Sequence, residues 1–344
     1  MPRRGALSVS LSLCLLVGCG SSDAGELLAG SGASGRGGDS GAAGMGGTSA
    51  GGGGQAGADA GDIGGSAGNY TAGAGGAGGS AGAVACDLNG RWASYLEIDV
   101  AWAGTTVLQP GADMIRVWLV GDRTGQADQA QESVSTCGIT LPDFQSNLLG
   151  GNEKFGVRFP GEVFDLGGIP QFNISFGGNV VVGGELQSEP VALLIGHTMA
   201  NPLTDPWPAI SAIKASDPDA DTKPGLTGVA VKGNGFGHPP TDALRLERAK
   251  ALWIVSRTAV EIAASLTTCD QLNGSLSVLQ VASQPGLQSH IVGCIKDNGE
   301  PCTSTETGFL DTNRPDFQPA TSSRFVSKRV DAAVSCAQVR GMFQ

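Results

Sequence analysis

The chain has 344 residues, 56 of them Gly, and sets 21 Lys and Arg against 32 Asp and Glu for a formal net charge of -11. Residues 20–85 hold 26 Gly, 16 Ala and 8 Ser, too little apolar side chain to offset the entropy of ordering, so this stretch is predicted to be a disordered tether. Residues 86–344 carry 18 basic and 27 acidic side chains, with no basic run beyond Lys328-Arg329, which excludes the positive footprint of nucleic-acid binding and disfavours anionic headgroups.

In chain order, Met1-Pro2-Arg3-Arg4 is basic, and the apolar residues 5–18 that follow are too few to span a bilayer. Residues 1–18 therefore read as a secretory signal. The segment ends in Leu16-Val17-Gly18-Cys19, which resembles the lipobox of bacterial lipoproteins. That resemblance implies cleavage before Cys19, lipidation of Cys19, and anchoring by several acyl chains. Residue 20 is Gly. In Gram-negative lipoproteins Asp at this place marks inner-membrane retention, so the resemblance implies the outer membrane, facing the periplasm or the cell surface. Residues 19–85 would then be a lipidated leash with a coil dimension of about 45 Å.

Residues 86–344 contain Cys86, Cys137, Cys269, Cys294, Cys302 and Cys336, an even number that predicts three disulfides in an exported chain. The turn-forming residues 296–301 point to Cys294–Cys302. Pairing within each half would give Cys86–Cys137 and Cys269–Cys336, and other connectivities remain open. A zinc site lacks any Cys-x-x-Cys and has only scattered His.

Residues 91–102 alternate, with Trp92, Ser94, Leu96, Ile98, Val100 and Trp102 on one face and Glu97 and Asp99 on the other. This is the pattern of a half-buried strand. Further strands are predicted at 114–120, 138–141, 155–159, 171–176, 191–196, 226–231, 275–281, 288–295 and 324–330. Residues 241–266 read as part helix, capped by Asp242, before β-branched residues from 253 onward favour a strand. The expected fold is all-β: a single antiparallel β-barrel or sandwich domain with one short helix, preceded by the disordered tether. A membrane-spanning barrel would want aromatic girdles, and the chain has 2 Tyr and 5 Trp.

The domain opens with Cys86-Asp87-Leu88-Asn89-Gly90-Arg91-Trp92, similar to exported lipoproteins in which such a start follows a Gly/Ala tether. Its Gly-x-Trp also resembles the opening of lipocalin-type barrels, where the Trp closes the base. That resemblance implies a barrel and leaves its ligand open.

The most chemically suggestive run is Asp217-Pro218-Asp219-Ala220-Asp221-Thr222-Lys223. Carboxylates at alternate positions resemble the start of the calcium loops of EF-hand, dockerin and thrombospondin type 3 repeats. Thr222 stands where those loops have Gly, and Gly228 where they have a bidentate Glu. The expectation is a weak structural Ca²⁺ and otherwise no cofactor, the alternative being a solvated acidic loop. His197, His238 and His290 are the only histidines, and residues 86–344 lack Gly-x-Ser-x-Gly and His-Glu-x-x-His. No catalytic residue is assigned. Trp207 is expected to pack within a loop, or else to serve as an exposed recognition aromatic. The functional expectation is a non-enzymatic, lipid-anchored binding module for an unidentified ligand or envelope partner. A lipocalin-like carrier of a small apolar ligand is the first alternative and a metal-dependent hydrolase the second.

Overall fold

Alternation in residues 91–102 builds the first strand. In the computed structural model, which describes residues 84–126, 128–147, 154–231, 249–321 and 323–343, β1 (Gly90–Trp102) buries its Trp92-to-Trp102 face completely. There follow β2 (Gly111–Gln126), β3 (Gln129–Gln145), β4 (Lys154–Arg158), β5 (Phe172–Gly178), β6 (Glu185–Ser188) and β7 (Val191–Ile195). Then come β8 (Leu226–Val231), β9 (Ala249–Thr268), β10 (Gln271–Val278), and the short β11 (Gln280–Val281) and β12 (Gln284–Pro285). The last strands are β13 (Leu287–Lys296), β14 (Phe317–Pro319) and β15 (Arg324–Val330). Three short helices are α1 (Gly161–Asp165), α2 (Ser304–Thr312) and α3 (Cys336–Met342).

Thirteen of the described strands share one antiparallel sheet that closes on itself. The closed circuit runs β1-β2-β3-β5-β6-β9-β10-β15 and back to β1. Eight strands enclose a lumen just wide enough for side chains to fill. The long strands then change partners along their length. Residues 129–134 of β3 pair with β5 and residues 140–145 with β4. On one edge β9 takes β8, β7 and β6 in turn, and on the other β13 and β10. The end of the barrel bearing β4, β8, β13 and β14 thus shares β1, β2, β3 and β9 with the end bearing Trp92 and differs in the strands set between them.

The two ends are sealed by different chemistry. At the first, Trp92 is fully buried under Arg123, whose guanidinium lies 4.1 Å from the ring centroid. Arg123 pairs inside the lumen with Glu132 at 2.6 Å, and Ser94 bonds Ser327 beside them at 2.8 Å. At the second end Trp102, Phe144 and Phe317 pack edge to face or tilted, with centroids 5.1 to 6.1 Å apart.

Two expectations need correction. Ala249–Thr268 is a single twenty-residue strand, because its alternating, β-branched pattern is held between neighbours on both edges. The proposed cap at Asp242 lies outside the described residues. The disulfides are Cys86–Cys269, Cys137–Cys336 and Cys294–Cys302, with Cα–Cα distances of 5.0, 4.8 and 5.3 Å. Pairing the first two within each half fails because ring closure sets β1 against β15, and β15 against β10, so the β9–β10 turn carrying Cys269 lies beside Cys86. Likewise α3 folds over β2 and β3 and reaches Cys137, burying Ala93, Val120 and Val339 in a small second core outside the barrel. Tyr95, on the face expected to be solvated, is buried there against Phe343, with ring centroids 5.4 Å apart.

Among the described residues no helix is long and apolar enough to cross a membrane. The signal, Cys19 and the tether up to residue 83 lie outside them, whereas Val84 and Ala85, assigned to the tether, are held against the barrel by the Ala85–Val181 bridge and the Val182 amide.

Candidate functional site

Three places could carry chemistry: the lumen, the layer on the outer wall beneath residues 197–216, and the acidic loop after it.

The lumen is mostly filled. A cavity of about 90 Å³ remains towards the β4–β8–β13 end, walled by Ile115, Val117, Leu141, Val157, Leu193 and Leu226 among others. A void of about 20 Å³ lies against Leu96 and Ile262. An apolar cavity of about 150 Å³ is what encloses one benzene molecule, so the larger space takes less than that without rearrangement.

On the outer wall, Arg257 of β9 and His290 of β13 are covered by the loop bearing Trp207. Trp207 is itself buried, stacked on His290 at 5.8 Å and edge-on to His197 at 5.5 Å. The loop-packing expectation for Trp207 therefore holds. Arg257 is fully buried, with Nη1 donating to the carbonyls of Pro202 and Asp205 at 3.2 and 2.7 Å and Nη2 donating to Gln288. Burial pulls its guanidinium below its ordinary range, against the opposing charge of Asp205.

His290 Nδ1 lies 2.9 Å from Asp311 Oδ2, and its Nε2 lies 2.9 Å from the Pro208 carbonyl. Asp311 also accepts from the Ile291 amide at 2.9 Å. A His–Asp pair is the orienting half of a hydrolytic triad, but a carbonyl only accepts. Nε2 therefore donates to Pro208 and is not open to a nucleophile. His197 Nδ1 is engaged by the Lys214 amide at 3.1 Å, and His238 lies outside the described residues. Sequence reasoning missed the His290–Asp311 pair, since nothing local links residues 21 positions apart on a strand and a helix.

The acidic loop brings its three carboxylates together, one oxygen from each lying within 4.8 Å of the others. Asp217 accepts from the amides of Asp221 and Thr222 at 3.2 and 2.9 Å, wrapping the chain around its carboxyl. Asp221 accepts from the Lys223 amide at 2.8 Å and the Thr227 hydroxyl at 2.7 Å. Asp219 is 5% exposed. Its Oδ2 accepts from the Thr227 amide at 2.8 Å, and its Oδ1 has no partner. Burial first, and then the charge of Asp221, push the Asp219 carboxyl above the usual carboxylate range, the Thr227 amide opposing them. Thr222, standing at the Gly position of calcium loops, adopts the left-handed backbone at φ 70°, and Ala220 does so at φ 55°.

No family model matches the chain, and no curated protein or solved structure is significantly similar to it.

Proposed function

We propose that the chain is an exported outer-membrane lipoprotein, anchored through lipid on Cys19, whose barrel is a non-enzymatic binding module held off the membrane by the tether of residues 20–85. The observation that carries the binding-module reading is the filled lumen. Eight strands around packed side chains leave about 90 Å³, so recognition falls to the exterior rather than to an enclosed ligand. An open cleft of about 490 Å³, lined by Gly177, Gln187, Ala263, Asn273 and Gly274 among others, is large enough to receive a partner segment. Three disulfides suit an oxidising compartment. The net charge of residues 86–344 leaves nucleic acid out of the partner set.

The carrier reading is supported by one feature, the aliphatic side chains of Val117, Leu141, Val157 and Leu193 in a cavity wall that also includes Phe144, Ser256 and Arg257. Titration with a fluorescent fatty acid separates the two. The binding module gives no saturable signal, whereas one-to-one saturable uptake at micromolar probe replaces this reading with the carrier. Membrane fractionation of Cys19→Ser tests the anchor: release into the soluble fraction is expected, and unchanged partitioning overturns it. Protease shaving of intact cells then assigns the barrel to the periplasm or the exterior.

A further inference from the structure

The acidic loop gathers three carboxylates without a protein cation paired to them among the described residues. Asp217, Asp219 and Asp221 converge within 4.8 Å, and among the described residues no Lys, Arg or His forms an ion pair with any of them. Lys223, the nearest cation in sequence, turns away to the face of Trp253, its Nζ 5.7 Å from the ring centroid. Asp219 is the second observation. It is 5% exposed, its side chain is turned into the cluster, and its Oδ1 is buried without a partner. A buried carboxylate with one oxygen unpartnered, within 4.8 Å of two further carboxylates, is costly unless a cation shares the cluster.

We propose that Asp217, Asp219 and Asp221 ligate one Ca²⁺ ion. All three donors are hard carboxylate oxygens, the class that binds this ion, and loop carbonyls and water would complete its shell. Mg²⁺ demands tighter octahedral geometry and gives up water reluctantly, which a short loop of alternating Asp serves less well. Bound Ca²⁺ ties two parts of the fold. Thr227, which donates to Asp219 and Asp221, is the second residue of β8, next to Leu226 in the cavity wall. The Pro218 carbonyl lies so close to Gly168 that a Cβ there would collide with it. The ion therefore clamps the loop between β8 and the segment following α1. This holds whichever way the chain is anchored and whatever the barrel binds.

The test is thermal unfolding and calorimetry of the purified full chain, stripped with chelator and titrated with CaCl₂. Extracellular calcium modules bind at about 10⁻⁴–10⁻³ M, so ~10 mM CaCl₂ should raise Tm by about 3–5 °C, with a saturable heat. Asp217→Asn and Asp219→Asn should each abolish both responses, and Asp331→Asn should keep them. Asp219→Asn retains an oxygen for the Thr227 amide and sheds a buried charge, so it should fold in chelator, as far-UV circular dichroism will show. Asp217 is exposed and gives an independent arm. Absence of heat at ~10 mM Ca²⁺, an equal shift from MgCl₂, or an undiminished response in both Asn variants overturns the proposal.

Discussion

Arg123 and Glu132 face each other across β2 and β3 inside the barrel, with Nη2 to Oε2 at 2.6 Å and side chains 0% and 1% exposed. The strand register puts them directly opposite. The Arg is held further by the Trp92 and Phe176 rings at 4.1 and 5.2 Å and by Ser327 at 3.3 Å. Gly121 leaves the room this needs, because a Cβ there would press on Glu132. The barrel is thus plugged at one end by a desolvated ion pair and packed above it by hydrocarbon.

Removing one member of that pair strands the other. Arg123→Ala or Glu132→Ala should lower unfolding free energy by about 3–5 kcal/mol, read from urea denaturation. The double variant Arg123→Met, Glu132→Leu should recover most of the loss, because two apolar side chains need no counter-charge. Equal losses in single and double variants would mean that the pair acts only through its volume.

The helix α3 is clasped to the barrel by Cys137–Cys336 and by Arg340, which donates to the Cys137 carbonyl at 2.6 Å. Cys137→Ser with Cys336→Ser should cost about 2–4 kcal/mol. It should also uncover Tyr95. Burial first, then the hydrogen bond to Glu97 and its charge, push the Tyr95 phenol from 10 up to about 12. The folded state therefore keeps a proton that the unfolded chain loses, and stability falls as pH rises from 10 through about 12. Ultraviolet titration should show a phenolate component near pH 12 that Tyr95→Phe removes and the double Cys variant shifts down.

What the sequence disclosed follows the range of the interactions concerned. The period of two in residues 91–102, and the runs at 226–231 and 324–330, were legible because alternation is local and each residue carries its own burial. The partner choices of β3 and β9 were not, since one strand meets several neighbours only after the ring closes, and the same non-locality misassigned Cys86 and Cys269. Thr303-x-x-Glu306 and Ser335-x-x-Gln338 are capping boxes in plain view, yet helices of nine and seven residues are too short to show an apolar stripe. Asp217, Asp219 and Asp221 were found because the cluster is contiguous. His290, Asp311 and Trp207 come from three separate segments.

The first of those boxes makes an acid-sensitive element. Glu306 Oε2 accepts from the Thr303 amide at 2.6 Å, the Thr303 hydroxyl accepts from the Glu306 amide at 3.3 Å, and Lys296 lies 3.7 Å away. The Thr303 amide chiefly, with help from Lys296, holds the Glu306 carboxyl below 4.5, burial opposing them. A depressed folded-state value contributes stability that is present above 4.5 and lost as pH falls through the lowered value. Glu306→Gln keeps the acceptor and removes the charge, so its stability should fall less steeply on acidification than that of the parent. Thr303→Ala should cost about 0.5–2 kcal/mol at neutral pH. Parallel acid profiles for Glu306→Gln and the parent would show that this carboxylate does not couple to folding.

Val117 and Leu193 both border the two interior voids, which makes them positions at which the emptiness of the lumen can be measured. Val117→Ile adds one carbon. The added group enters the adjoining space without displacing a neighbour, and stability should hold or rise by up to about 0.8 kcal/mol. The same enlargement in a close-packed interior costs about 1–3 kcal/mol. Leu193→Ala, which enlarges the same space from the opposite wall, should cost about 2–5 kcal/mol. The pair also bears on function. If the exterior carries recognition, Val117→Ile leaves partner capture unchanged, whereas a carrier whose ligand sits between Val117 and Leu193 would lose affinity with every carbon added. Urea midpoints and fatty-acid titrations on the two variants decide both points.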